Sequence, residues 1–468
     1  MNQDVRNNGA DAPAPERKPK KKLKRWQKVQ IFVIAALVVL MSFFSFILPL
    51  RPKVSDIEKR KLAEFPSFSF SALFSGSYFS DISAWYADTV PLRDYFVNLS
   101  SRLQHLLGTA TAQSGFNEGV KGDDIPDIPD TPPTSEIATG EDPASETQEP
   151  APAATTEAPT EPPTEEEPTK EMQQLGGILV YGNAGFEYYN FVQSTAESYA
   201  AAVNRAASLL AGKATVYDMI IPTSIDILLP ASVREKLSVS DQQKAIAYME
   251  ALLSPSVKKV SIFDVMKAHK DEYIYYRTDH HWTALGAYYA YQKFCEVKGV
   301  QPVRLEDCEK RTFQPFLGSF YSDSGKDPVL GNTPDYVDAY MPKVSADLYL
   351  IDQNNQEITG SVLYNSENSS PYYKYSTFIW GDNPYSVITN YDRAEGESCL
   401  LIKESFGNAL APFLTYNYKY VYILDYRYGY STAAALVDKY GINDVFFCNN
   451  ISMTRASSQV EKLTSSVG

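Results

Sequence analysis

Histidine is scarce in this chain, with four among 468 residues, at 105, 269, 280 and 281. Cysteine is equally rare, and the spacings of Cys295, Cys308, Cys399 and Cys448 do not resemble a zinc site. No glycine-rich phosphate loop follows a strand-like segment and no basic face is evident, which argues against nucleotide and nucleic-acid binding. Basic residues are outnumbered, 43 against 57 acidic, for a net charge of −14. That excess is not spread evenly. From Lys121 to Glu171 fifteen carboxylates face only Lys121 and Lys170, a local charge of −13. The tract is rich in Pro, Thr and Ala and nearly empty of aromatics, so it cannot bury enough apolar surface to offset its ordering entropy. It reads as a solvated acidic tether over 113–172, although an acidic tract can also receive a basic partner.

Residues 1–28 are polar and basic, with Arg17, Lys18, Lys20, Lys21, Lys22, Lys24, Arg25 and Lys28 near their end. An apolar run over 29–48 follows, broken only by Gln30, Ser42 and Ser45. About twenty such residues cross a bilayer core as a helix, and the basic flank stays cytoplasmic. No small-x-small site precedes Pro49-Leu50-Arg51-Pro52, which sets the run apart from a cleaved signal peptide. The expectation is a cytoplasmic tail over 1–28, a single membrane helix over 29–50 and the bulk of the chain outside the cell membrane. All four cysteines then lie outside, where both disulfides and buried thiols remain open.

Residues 51–112 hold helix-like spacing at Tyr78, Phe79, Ile82, Trp85 and Tyr86 but too little apolar area to fold alone. They are expected to dock on the larger segment over 173–468, which makes the acidic tract an insertion. In that segment 216–222 reads as a buried strand, 241–253 as a helix, 261–265 as a strand and 283–297 as a helix. Cys399-Leu400-Leu401-Ile402 reads as a strand, followed by a tight turn and a helix over 409–414. Further strands are expected at 421–424 and 444–447. Strands alternating with helices imply an α/β fold with a mostly parallel sheet and ligands at the strands' carboxyl ends.

Half of the histidines stand together in Thr278-Asp279-His280-His281-Trp282, on a loop just before the expected 283–297 helix. An imidazole can take and return a proton near neutral pH, and a carboxylate fixes its tautomer. Ser405, between an apolar strand and a small-residue helix start, has the setting of an exposed nucleophile near a helix's positive end, though not in a Gly-x-Ser-x-Gly elbow. Asp279, one of the two histidines and Ser405 would form an orienter, base and nucleophile. From spacing alone His280 is as good a base as His281. Ser224, at another strand end, is the competing nucleophile. A metal held by Asp279, His280 and His281 is the rival use of the loop, but consecutive histidines point apart and no Glu-x-x-His partner is present, so no metal is expected. Gly318-Ser319 is a turn that could line a cleft, and Arg277 and Arg427 could steer an anionic chain.

The TDHHWT motif at 278–283, IKESFGNALAPFL at 402–414 and ILDYRYGY at 423–430 resemble the bacterial DHHW family, as do IEKRKLAEFPSFS at 57–69 and PLRD at 91–94. That family is similar to alginate O-acetyltransferases of the SGNH-hydrolase superfamily. The resemblance implies an SGNH-hydrolase-like three-layer fold, with Asp279 as orienter, His281 as base and Ser405 as nucleophile. His280 then falls at the variable position. Relatives carry Asp before the serine where this chain has Glu404, which is expected to be structural. Gly381-Asp382-Asn383 looks like the family's Gly-x-Asn segment and offers Asn383 as oxyanion donor. His280, Trp282, Arg277, Gly318, Ser319 and Arg427 are the expected cleft residues.

The expected activity is O-acetyl transfer to a cell-envelope or secreted polysaccharide through an acyl-serine, with no cofactor. A membrane-bound O-acyltransferase partner would supply acetyl groups from the cytoplasm. A carbohydrate esterase using the same residues, and a noncatalytic polysaccharide-binding protein, are the alternatives.

Overall fold

The structure is a computed structural model. It describes residues 177–468 continuously, together with 172–175, 122–127 and scattered positions between 54 and 89. The tail over 1–28, the helix expected at 29–50, most of 51–112 and the rest of the acidic tract lie outside the described residues. Among the described residues no helix is long and apolar enough to cross a membrane.

The chain divides into two units, Met1–Val97 and Asn98–Gly468. In the first, strands Val54–Ser55 and Arg60–Lys61 pair antiparallel. Phe65 meets Trp85 edge-on at 4.8 Å.

The second unit is a mixed α/β body built on an eight-stranded sheet. In spatial order its strands are Glu357–Ser361, Ala346–Ile351, Tyr385–Asn390, Tyr420–Asp425, Ser398–Lys403, Asp444–Asn450, Thr215–Ile221 and Lys258–Lys259. The last five run parallel. The first three add antiparallel, beginning at Tyr420–Asp425. The sheet is thus parallel at one end and antiparallel at the other.

Every residue of Ser398–Lys403 and of Asp444–Asn450 is buried, as expected of parallel strands covered on both faces. From Ser398–Lys403 the chain steps outward to Tyr420–Asp425, then returns past it to Asp444–Asn450. The two connecting helices are Gly407–Leu414 and Ala433–Tyr440, and the right-handed rule for such crossovers assigns them to opposite faces.

Local chemistry sets the helix ends. Thr283 accepts from Gly286 N to open Ala284–Lys298, and Gly299 closes it at φ 79°. Asp241 accepts from Lys244 N to open Gln242–Ala251. The strand expected over 261–265 is instead the start of helix Phe263–Ala268, while strand pairing falls earlier, at Lys258–Lys259.

Within the expected tether, residues 122–127 lie on this unit. Asp123 N–H donates to Phe191 O at 2.8 Å, its carboxylate accepts from Gln193 N at 2.9 Å at the start of helix Gln193–Leu209, and Ile125 packs on the core. Such specific bonding separates these six residues from a purely solvated tract. All four cysteines are buried free thiols, Cys399 and Cys448 among them with pKa values pushed up by burial.

Candidate active site

The loop at 278–283 is a tight excursion closed by an antiparallel bridge between Tyr275 and Trp282. Its anchor is Asp335, buried at the start of strand Asp335–Pro342. One Asp335 oxygen accepts from Thr278 N at 2.7 Å and Thr278 Oγ1 at 2.6 Å, while the other takes Arg277 Nε at 3.0 Å and the Tyr273 hydroxyl at 2.5 Å. Arg277, expected to steer a substrate, is therefore a clamp on the loop's entry.

Asp279 is buried, and its carboxylate accepts from Ser319 N at 2.7 Å, His281 N at 3.0 Å and His281 Nδ1 at 2.5 Å. A carboxylate beside Nδ1 makes that nitrogen the donor, which leaves Nε2 as acceptor in the neutral ring. Ser405 Oγ lies 2.7 Å from Nε2. The two histidines differ in their partners. His281 makes both contacts, whereas His280 Nδ1 meets Ser319 Oγ at 2.6 Å.

The His281 ring lies between two others. Tyr375 stacks on it at 4.0 Å and 13°, and His280 covers it at 3.9 Å and 34°. Tyr375 also donates its hydroxyl to Ser405 O at 3.0 Å, holding the His281 ring and the Ser405 turn together. Trp282 Nε1–H donates to Phe406 O at 2.9 Å, so consecutive residues of the two loops pair, 281 with 405 and 282 with 406. Trp282 is fully buried and lines no cleft. It is a stitch between the loops.

Ser405 is partly exposed, just past the carboxyl end of Ser398–Lys403. Glu404 shapes the turn: one oxygen accepts from Asn450 N at 2.9 Å, the other from Phe406 N at 3.1 Å. That second oxygen also lies 3.3 Å from Ser405 Oγ, which can donate to it, and burial raises the Glu404 pKa. The Lys403 ammonium, fully buried, meets Asp425 at 2.8 Å and Asp382 at 3.4 Å. Arg427 joins the same two carboxylates at 2.6 and 2.9 Å. Burial pushes the Asp382 carboxyl up, but Arg427 and Lys403 outweigh it and hold it below the usual range. Arg427 is thereby committed to this network rather than held out for a substrate.

Asn383, the expected oxyanion donor, has its contacts within its own turn. Its side-chain N–H reaches the carbonyls of Ile379, Trp380 and Gly381 at 3.3 to 3.5 Å. Ile379, Trp380 and Gly381 all have positive φ, which curls those carbonyls inward. The residue clamps its own turn. Gly318 and Ser319 are at the site as supports: a Cβ on Gly318 would lie 2.1 Å from Asp279 Cβ. Ser224 sits at another strand end, its Oγ buried and without a hydrogen-bond partner. Asp279, His280 and His281 bring one ligand atom each within 4.8 Å of one another. A metal there would compete with the Ser319 and Ser405 hydrogen bonds. Tyr375 and Asp335 were not singled out from sequence, since no short spacing links them to the motif, while Phe406 and Asp382 stood inside quoted motifs without a role of their own.

A serine hydroxyl facing an imidazole that is itself held by a carboxylate, at a strand end of an α/β sheet, is the arrangement that serine-dependent acyl chemistry requires. The chain belongs to the DHHW protein family, whose model matches residues 58–136 and 158–424. It is similar to a DHHW family protein from Eubacterium siraeum DSM 15702, at 26% identity over 64% of this chain and 99% of that one, with a TM-score of 0.58. PatB1 of Bacillus cereus, with a sulfonyl adduct, shares the fold at 19% identity over 62% and 99% of the two chains and a TM-score of 0.51. The O-acetyltransferase domain of Pseudomonas putida AlgJ, at 12% identity over 62% and 99% and a TM-score of 0.34, is a likeness too slight to argue from. No curated protein matches the chain.

Proposed function

We propose that the protein is an O-acyltransferase that acetylates a cell-envelope or secreted polysaccharide, with Ser405 as nucleophile, His281 as base and Asp279 as orienter. One observation carries the reading: Ser405 Oγ is 2.7 Å from His281 Nε2 while Asp279 holds the opposite nitrogen at 2.5 Å. Ser405 Oγ attacks the acyl carbonyl as its proton passes to His281 Nε2. That proton then leaves with the donor's departing group, and an acyl-serine remains. A sugar hydroxyl next gives its proton to His281 and takes the acyl group, restoring Ser405. Helix Gly407–Leu414 opens two residues after Ser405, where its positive end favours the negative charge that develops. The resemblance of the DHHW family to polysaccharide O-acetylating proteins supplies the acceptor class. The apolar run over 29–48 supplies the anchor, which keeps catalysis outside the cell membrane and calls for a membrane-bound O-acyltransferase as donor.

Partial exposure of Ser405 favours a second reading, since water that reaches the acyl-serine makes the protein a carbohydrate esterase. The full chain incubated with p-nitrophenyl acetate and an oligosaccharide panel separates the two. Acetylated sugar in the mass spectrum marks a transferase, and free acetate alone marks an esterase. Ser405→Ala should lower ester turnover by at least about 10³-fold and Ser224→Ala by less than about threefold. Covalent labelling by a sulfonyl fluoride that maps to Ser224 would overturn the assignment.

A further inference from the structure

The antiparallel end of the sheet has one face in the core and one face layered with tyrosines, some buried and some exposed. Val421, Ile423, Ile388, Leu348 and Leu350 point into the core. By alternation the other face carries Tyr420 and Tyr422, then Tyr385, and then Tyr349, in cross-strand rows Tyr422–Val387–Tyr349 and Tyr420–Thr389–Asp347. Two more tyrosines lie on top. Tyr430 stacks on Tyr385 at 4.7 Å and 17°, and Tyr440 stacks on Tyr422 at 4.7 Å and 19°. Tyr430, Tyr440 and the strand residue Tyr420, which is tilted against Tyr422 at 6.0 Å, remain 43%, 39% and 37% exposed. A ring backed by a second ring is held in orientation before any ligand arrives, which lowers the entropy cost of binding.

Chemistry selects the occupant. Aromatic faces rimmed by hydroxyls suit the flat C–H face and the hydroxyl edge of a pyranose. Charge is complementary to a glycan of low charge. The Lys439 and Lys419 ammonium groups lie 4.8 and 5.7 Å from the Tyr440 and Tyr420 rings. Asp347 and Glu357 stand in the same face's rows and offset them. No net positive field is left for a nucleic acid. The face is joined to the candidate site along the chain. The segment that ends in Tyr385 carries Asp382, and the loop that bears Tyr430 carries Arg427. Both of those residues belong to the ion network beside Ser405.

We propose that this tyrosine layer is a binding platform for a linear polysaccharide of low charge, distinct from the Ser405 turn. Its use in presenting hydroxyls to Ser405 rests on the acyl-transfer reading. Binding does not.

The test is native affinity electrophoresis of the full chain in gels containing xylan, glucomannan or hydroxyethylcellulose. Retardation by at least one of them is expected. The triple change Tyr420→Ala, Tyr430→Ala and Tyr440→Ala should weaken apparent affinity about tenfold or more, and Tyr430→Ala alone about threefold. The matching Tyr→Phe triple keeps every ring and should retain most of the retardation. No retardation in any gel, an alanine triple retarded like the parent, or retardation by poly(dT) in place of all three glycans would each overturn the platform. The readout needs no catalytic step. A chain that binds glycan yet turns over no ester supports the platform while sinking the acyl-transfer reading.

Discussion

Gly318→Ala is the sharpest probe of how the site is held, because it adds one methyl group and touches no reacting atom. Gly318 has φ −89° and ψ −157°, a backbone conformation that alanine adopts without strain. The difficulty is space. The new Cβ would stand 2.1 Å from Asp279 Cβ, 2.2 Å from Oδ2 and 2.5 Å from Cγ. Ordinary carbon contact needs about 3.5–4.0 Å, so the Asp279 side chain must withdraw by about 1.5 Å. It has no room to do so while keeping its bonds to Ser319 N, His281 N and His281 Nδ1. Overpacking of this kind costs about 1–3 kcal/mol of stability. The activity cost should be larger, since a displacement of about 1 Å at an orienting group can lower turnover about 10²-fold and loss of the orienter about 10⁴-fold. Turnover of p-nitrophenyl acetate should therefore fall by about 10²–10⁴ in kcat, with a denaturant midpoint only moderately lowered. A folded variant that turns over within threefold of the parent would refute the claim that Asp279 positions His281.

Asp218, buried in Thr215–Ile221, accepts from the Tyr199 hydroxyl at 2.6 Å, and burial raises its pKa to about 7. Between roughly pH 4 and 7 the folded state keeps a proton that the unfolded chain has released, so stability falls as pH rises through that window, by at most about 4 kcal/mol. Asp218→Asn should remove that slope, and its melting temperature should gain on the parent between pH 5 and 8. A gap that does not change with pH would count against the burial argument. Trp282→Phe deletes the bond to Phe406 O and leaves a buried carbonyl unpaired, at about 1–3 kcal/mol. It should lower kcat about tenfold with little change in KM, and an unchanged kcat would mean that the stitch between the loops is dispensable.

Much of the site was legible because its chemistry is local. Asp279 and His281 are two residues apart, so neither needs the fold to be found. The helix after them is announced by Thr283 and closed by Gly299, both of which act on their nearest neighbours. Short-range evidence also misled. Ile262, Phe263 and Met266 are buried at spacings that a helix satisfies, but over five residues the apolar run reads as a strand. The Gly-x-Asn likeness pointed to Asn383, whose amide is taken by three carbonyls of a left-handed turn that no motif encodes. Alternation of strands and helices predicted a mostly parallel sheet. The antiparallel end formed by Glu357–Ser361, Ala346–Ile351 and Tyr385–Asn390 depends on pairings between strands far apart in sequence.

The linear order of residues was enough to pick out the candidate site's Asp279, His281 and Ser405, the acidic tract and the apolar run, because composition and near-neighbour hydrogen bonding act over a few residues. Spacing alone did not say which histidine faces Ser405, although the family resemblance pointed to His281. That outcome depends on a contact across 124 residues, made when parallel strand packing brings the turn at Ser405 up to a loop held by Asp335. Tyr375 and Trp282 then lock the two loops together. Long-range register, not local preference, selects His281 over His280.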